Sequence, residues 1–262
     1  MPVSLGQILA TTESTFPALK ARRRELERQA ADARPGPSFV AALTRPTVAL
    51  IAEVKRRSPS AGSIREDLDP VSRATGYARG GAAAISVLTD GPFFGGSLDD
   101  LRSVAANVEV PALRKDFILS EEQVLEARAA GASAVLLIVR ALAPDRLAAL
   151  RRFAADLALA ALVEAHTGPE VSAALDAGAE IVGINSRDLD TFRIDVDGAW
   201  ELFDAVPSHV IAVAESGMSS LADVTAAARA GADAVLIGTA LSATDDPEAL
   251  VRQISGVQRI GR

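Results

Sequence analysis

Apolar residues in this chain gather into short runs separated by amphipathic stretches. The runs 47-TVALIAEV-54, 108-VEVPALR-114, 158-ALAALVEA-165 and 209-HVIAVAES-216 are mostly apolar without strict alternation. Strands buried on both faces read this way. Four further stretches repeat one design: 77-YARGGAAAISVLTD-90, 127-ARAAGASAVLLIVR-140, 174-ALDAGAEIVGIN-185 and 228-ARAGADAVLIGTAL-241. Each reads as an Ala-rich helix end, a Gly-Ala turn and a short apolar strand. Gly81, Gly131, Gly178 and Gly231 stand 50, 47 and 53 residues apart in this series, and a glycine just past a helix supplies the positive φ needed there.

The two sets of strands interleave, with helical patterns such as 121-EEQVLEARAA-130 and 145-DRLAALRRFAADL-157 between them. Eight alternating β and α units predict an α/β fold with an all-parallel sheet closed into a (β/α)8 TIM barrel over residues 46–262. An open doubly wound sheet is the alternative, but no G-x-G-x-x-G follows the first strand. Residues 1–45 predict a helical extension packed on the barrel, within a single domain overall. Leu5, Ile8 and Leu9 are helically spaced, 18-ALKARRRELERQA-30 reads as one charged helix, and Pro35-Gly36-Pro37 breaks it before a short helix over 38-SFVAAL-43. Arg22-Arg23-Arg24, interleaved with Glu25 and Glu27, reads as a solvated helix face. A last helix is expected over 247-PEALVRQI-254.

Composition narrows the function. The 262 residues are 49% hydrophobic, enough for a substantial core, yet no apolar run reaches the roughly 18 residues of a membrane span. The start, MPVSLGQILATTESTF, lacks a basic segment followed by a long apolar one. No cysteine is present, which fits a cytoplasmic enzyme. A net charge of −7 argues against nucleic-acid and membrane partners while leaving room for one small anion in a locally basic pocket. His166 and His209 lie in separate segments without metal-ligand spacing, so no metal is expected and proton transfer falls to Glu, Asp or Lys.

Candidate chemistry gathers where a barrel would put it, at the C-terminal strand ends. These ends are Glu53/Lys55, Thr89/Asp90, Arg114/Lys115, Arg140, Glu164, Asn185/Arg187, Glu215/Ser216 and Gly238/Thr239. Period-two alternation puts Glu53 and Lys55 on one side of their strand. Lys20, Lys55 and Lys115 are the only lysines among 27 basic residues, the rest being arginine. Lysine gives up a proton where arginine does not, so its retention at two converging ends points to proton transfer, with lysine and glutamate pKa values drawn towards neutrality. The stretches 214-AESGM-218 and 236-LIGTAL-241 place small residues past strands seven and eight, where such barrels hold phosphate. Gly217 and Gly238 would let backbone approach the anion. In a closed barrel Lys55 and Ser58 after strand one lie beside strand eight and reach the same phosphate. Phe93, Phe94 and Phe117 predict an apolar wall suited to a planar aromatic ligand.

These residues resemble a known family. The segments 51-IAEVKRRSPSAGSIREDLDP-70, 93-FFGGSLDDL-101, 111-PALRKDFI-118, 162-LVEAH-166, 183-GINSRDL-189, 213-VAESGM-218 and 236-LIGTAL-241 are similar, in order, to the signature segments of the indole-3-glycerol-phosphate synthases. The resemblance implies a lyase of tryptophan biosynthesis acting on a phosphorylated small molecule, 1-(2-carboxyphenylamino)-1-deoxyribulose 5-phosphate. That substrate closes its ring with loss of carbon dioxide and water, without cofactor. The resemblance further implies Lys115 as general acid and Glu164 as general acid/base, with Lys55 contacting carboxylate or phosphate and Glu53 and Asn185 holding hydroxyls. Arg187 would face the carboxylate and Glu215 would bind substrate. Ser58, Ser216, Gly217, Gly238 and Thr239 would hold phosphate; Phe94, Phe117, Leu136 and Leu189 would flank the ring. A monomer is expected, with at most weak association with other enzymes of the pathway. The chain departs from the family's pattern at Glu122, where a tyrosine commonly precedes Gln123, and at Thr239, where glutamate is common.

Overall fold

The computed structural model describes residues 3–261. Eight parallel strands form a closed barrel: β1 (Ala49–Val54), β2 (Ala84–Leu88), β3 (Ala112–Lys115), β4 (Ala134–Ile138), β5 (Ala160–Ala165), β6 (Ile181–Asn185), β7 (Ile211–Glu215) and β8 (Ala234–Ile237). Each strand pairs with its sequence neighbours, and β8 closes on β1 through the register Ala49↔Ala234 to Ala52↔Ile237. The expected barrel is thus the observed one. The glycines that punctuate the repeat sit just past helices with φ of 101° (Gly81), 84° (Gly131), 79° (Gly178) and 106° (Gly231).

Alternation along each strand sorts the core into two shells. Leu50, Ala52, Val54, Val135, Leu137, Val163 and Val182 pack outwards under the helices. Ala49, Ile51, Leu113, Leu136, Leu162, Val213 and Leu236 fill the barrel interior. Branched and small side chains suit these positions, because a barrel of eight strands has room for interior layers and no channel. Two residues further along, towards the C-terminal rim, the same inward alternation reaches Glu53, Lys115, Glu164 and Glu215. A charged layer therefore caps an apolar one.

The N-terminal segment forms helices Leu5–Glu13, Phe16–Ala21, Arg23–Asp32 and Phe39–Leu43. The single charged helix expected over 18–30 is two helices that meet at Arg22 (φ −98°, ψ 3°), the first opened by Pro17 near its start. The arginine run is not simply a solvated face. Arg22 pairs with Glu25 and Arg23 with Glu27, but Arg23 also reaches Glu121 at 2.7 Å and Glu122 at 2.9 Å on the helix after β3. Glu122 is thereby a buried anchor of the extension. Leu26 and Ala30 pack with Leu125 beneath this contact. Phe39 and Leu43 belong to the interior cluster. A small antiparallel pair, Arg57–Ser58 with Gly62–Ser63, follows β1. Among the described residues no helix is long and apolar enough to cross a membrane.

Candidate active site

Every residue proposed from sequence as catalytic or substrate-binding lines one cavity of about 490 Å³ at the C-terminal rim of the barrel. Loops after β1, β2, β3, β6, β7 and β8 wall it. Phe93 is the exception among the aromatic wall: it packs against the edge of the interior cluster, while Phe94 and Phe117 line the cavity with ring centroids 6.2 Å apart. Arg114, Arg140 and Asp90, which do not line it, have partners of their own. Arg114 is buried among Asp116, Glu126 and the Gln123 carbonyl; Arg140 pairs with Glu170 and Asp188; Asp90 caps the short helix after β2.

Two lysine–carboxylate groups form the floor. Lys55 Nζ lies 3.0 Å from Glu53 Oε1. Lys115 Nζ donates to Glu164 Oε2 at 3.1 Å and stands 3.5 Å from Glu215 Oε2. Register explains the convergence, since Leu88 pairs with Lys115 across β2–β3, Glu164 with Gly183 across β5–β6, and Asn185 with Glu215 across β6–β7. Gly183 is essential to the packing: a Cβ there would overlap Glu215 Oε1. Gly238 plays the same part for the other pair, because a Cβ would overlap Glu53 Oε1 and crowd Lys55 Nζ. Its φ is an ordinary −118°, so close approach and not backbone freedom requires glycine here.

The electrostatics correct one expectation. Burial pulls the Lys115 ammonium down, but Glu164, Glu215 and Glu53 together outweigh it, and its pKa rises above the usual lysine range instead of moving towards neutrality. Burial pushes the Glu164 carboxyl up, yet Lys115, His166 and a hydrogen bond from Asn185 hold it down at about 2. Glu215 goes the other way: burial, then the neighbouring Glu164 charge, raise it well above the carboxylate range despite Lys115. The three groups thus form an ammonium between one carboxyl held low and one pushed up. Burial lowers the Arg187 guanidinium, only partly offset by Glu53.

The loop after β3 is pinned from behind. Asp116 accepts from Arg114 Nη2 at 2.9 Å and from the Phe117 amide at 2.8 Å. Gln123 Nε2 donates to the Phe117 carbonyl at 2.9 Å and its Oε1 accepts from the Leu119 and Ser120 amides. Opposite, Ser216 and Gly217 take left-handed conformations (φ 66° and 76°), turning the chain after β7. Gly238 and Thr239 open the first turn of helix Thr239–Ala243, where N–H groups have no intrahelical partner. Ser242 ties this turn to β1, accepting from the Lys55 amide at 3.2 Å and donating to the Glu53 carbonyl at 3.1 Å. Arg187 projects from the β6 loop, its amide donating to Asn185 Oδ1 at 3.0 Å and its Nη1 to the Phe192 carbonyl at 3.2 Å.

Sequence reasoning missed several residues of this site. Gly183 carried a readable signal, since a glycine inside an apolar strand marks close approach of another group. His166 carried another, standing two residues after Glu164 and hence on the same side. Phe192 and Ile194 line the cavity from a loop with no periodicity to read. Among the described residues no three His, Asp or Glu side chains are grouped to hold a metal ion.

Comparison with known proteins identifies the family. The family model described as Indole-3-glycerol phosphate synthase matches residues 5–254. An indole-3-glycerol phosphate synthase of Mycobacteroides abscessus is 50% identical over 226 residues, covering 86% of this chain and 83% of that protein. One from a Nocardioides species is 54% identical over 209 residues, covering 80% of each. The indole-3-glycerol phosphate synthase 1 of Streptomyces coelicolor is 47% identical over 230 residues, covering 88% of this chain and 86% of that protein. Among solved structures, a 3-hexulose-6-phosphate synthase superposes with a TM-score of 0.64 at 16% identity, covering 79% of this chain and 98% of that one. A thiamine phosphate pyrophosphorylase from Pyrococcus furiosus does so with 0.61 at 16%, covering 80% and 94%. These two share the fold alone. With the family's model spanning the barrel and its extension, the chain belongs to the indole-3-glycerol phosphate synthases, a family of decarboxylating lyases.

Proposed function

We propose that this enzyme closes the indole ring of 1-(2-carboxyphenylamino)-1-deoxyribulose 5-phosphate, releasing carbon dioxide and water, as a step of tryptophan biosynthesis. The observation that carries the reading is Lys115, with its ammonium on Glu164 and Glu215 at the floor of a cavity whose other side is a turn suited to phosphate. The substrate's phosphate sits on Ser58, the Ser216–Gly217 turn and the amides of Gly238 and Thr239. Its ring lies between Phe94, Phe117, Leu136 and Leu189. Arg187 and Lys55 supply positive charge for the two anionic ends.

Lys115 protonates the ketone oxygen as the aromatic carbon attacks the ketone carbon. A raised ammonium pKa does not prevent this, because the oxygen develops alkoxide basicity as the new bond forms and then exceeds any lysine. Loss of carbon dioxide restores the ring electrons. Lys55 or Lys115 gives a proton to the departing hydroxyl, and Glu164, held anionic, takes the proton whose loss rearomatises the ring. Glu53 and Asn185 orient the hydroxyls and the lysines. Glu215, whose hold on its proton burial strengthens, binds substrate beside Lys115. Incubation of the enzyme with this substrate tests the reading. Indole-type fluorescence and carbon dioxide should rise together in equal amounts; fluorescence and gas both at the no-enzyme level would refute it.

A further inference from the structure

His166 is a buried imidazole that the chemistry above leaves without a task. Its side chain is 4% exposed and lies just past β5, two residues beyond Glu164. Both ring nitrogens face carboxylates. Glu170 Oε2 lies 3.2 Å from Nδ1 and accepts from the His166 amide at 2.8 Å, fixing ring and backbone together. Nε2 faces Glu164 Oε1 at 3.6 Å, beyond hydrogen-bond length, and makes no hydrogen bond. The two oxygens of Glu164 are therefore divided, with Oε2 on Lys115 and Oε1 turned to the imidazole.

The support behind His166 is itself organised. Glu170 lies on helix Gly168–Asp176, and its Oε1 accepts from Arg140 Nε at 3.1 Å. Arg140 Nη1 in turn donates to Asp188 at 3.0 Å and stands 3.7 Å from Asp190. Asp188 anchors the β6 loop by accepting from the Asp190 and Thr191 amides. The charged groups around the imidazole are thus Glu164 in front, Glu170 and Arg140 behind, and, through them, Lys115, Glu215, Asp188 and Asp190.

We propose that His166 is the positioning residue of Glu164: clamped at Nδ1 by Glu170, it presents Nε2 to Glu164 Oε1 and so sets both the orientation of that carboxylate and the pH at which it stops accepting protons. This rests on the reading of Glu164 as the acid/base. Removing a positive or hydrogen-donating neighbour makes a carboxylate easier to protonate. The low-pH limb of kcat, where Glu164 is protonated and no longer serves as base, therefore moves to higher pH when His166 is lost.

The test compares the pH profiles of kcat and KM for His166→Asn, Glu170→Gln and Glu164→Gln with the parent enzyme. In His166→Asn the amide nitrogen reproduces the Nδ1 donor to Glu170 but leaves nothing at Oε1. We expect kcat to fall about tenfold, KM to stay within about twofold, and the acid limb to move up by about one pH unit. Glu170→Gln keeps the ring and loosens its clamp, and is expected to move the same limb in the same direction by less, which serves should His166→Asn fold poorly. Acid limbs unmoved in both variants, with Glu164→Gln inactive, would overturn the role of His166 alone. A Glu164→Gln enzyme with parental turnover would instead overturn the assignment of Glu164 on which it depends.

Discussion

Lys115 meets Glu164 at 3.1 Å and Glu215 at 3.5 Å in a buried site, where burial and the Glu164 charge raise Glu215 while Lys115 and His166 hold Glu164 down. This has a consequence for stability. A carboxyl whose folded pKa is raised stabilises the fold fully below its unfolded value, near 4.5, and loses that contribution as pH rises through the folded value. Glu164, depressed to about 2, behaves oppositely: its contribution is present above the unfolded value and is lost only as pH falls towards 2. Glu215→Gln keeps the neutral form permanently. Thermal unfolding should show the variant gaining on the parent enzyme as pH rises from 5 to 8, by several degrees at the upper end, while turnover falls. A difference in melting temperature that does not change with pH would show that Glu215 is ionised in the fold.

Elements carry these residues to the rim, and one contact between elements stands out. Helix Arg23–Asp32 packs on helix Glu121–Ala129 through Leu26, Ala30 and Leu125, with Arg23 bridging Glu121 and Glu122. Glu122 is buried, so Arg23→Ala leaves a carboxylate without its partner, and unpaired buried charge is destabilising. Because Gln123, next along this helix, holds the Phe117 carbonyl, the loss should reach the loop after β3. We infer that the extension and barrel unfold together. Hydrogen exchange should therefore speed up at Leu26 and at Leu119–Ser120 in Arg23→Ala; protection unchanged at Leu119 would uncouple extension from loop. The barrel strands were legible in sequence because a strand buried on both faces leaves a continuous apolar run. The break at Arg22 was not, because a helix that turns without glycine or proline at the turn leaves no mark. The pair Arg57–Ser58 with Gly62–Ser63 was equally hidden, being two residues a side in a polar loop. In the site, Glu53, Lys115, Glu164 and Glu215 could be read from strand ends and alternation. The direction of the Lys115 shift could not, since it depends on how many carboxylates the closed ring brings to one amine.

At the scale of the whole molecule, closure is what makes a site of these parts. Joining β8 to β1 sets Gly238 against Glu53 and Lys55, residues far apart in sequence, and brings the first turn of helix Thr239–Ala243 to the cavity that Ser58 also lines. Phosphate-suited backbone on one side, lysine–carboxylate groups on the floor and aromatic rings opposite all face one volume. In the proposed chemistry Lys115 supplies a proton from within that volume and not merely a charge. Lys115→Arg keeps the charge and removes the readily transferred proton. Single-turnover mixing of excess Lys115→Arg enzyme with substrate should show binding within a few-fold of the parent enzyme, with carbon dioxide release slowed by about 10²–10⁴-fold. Release at the parent rate from the arginine variant would contradict the account.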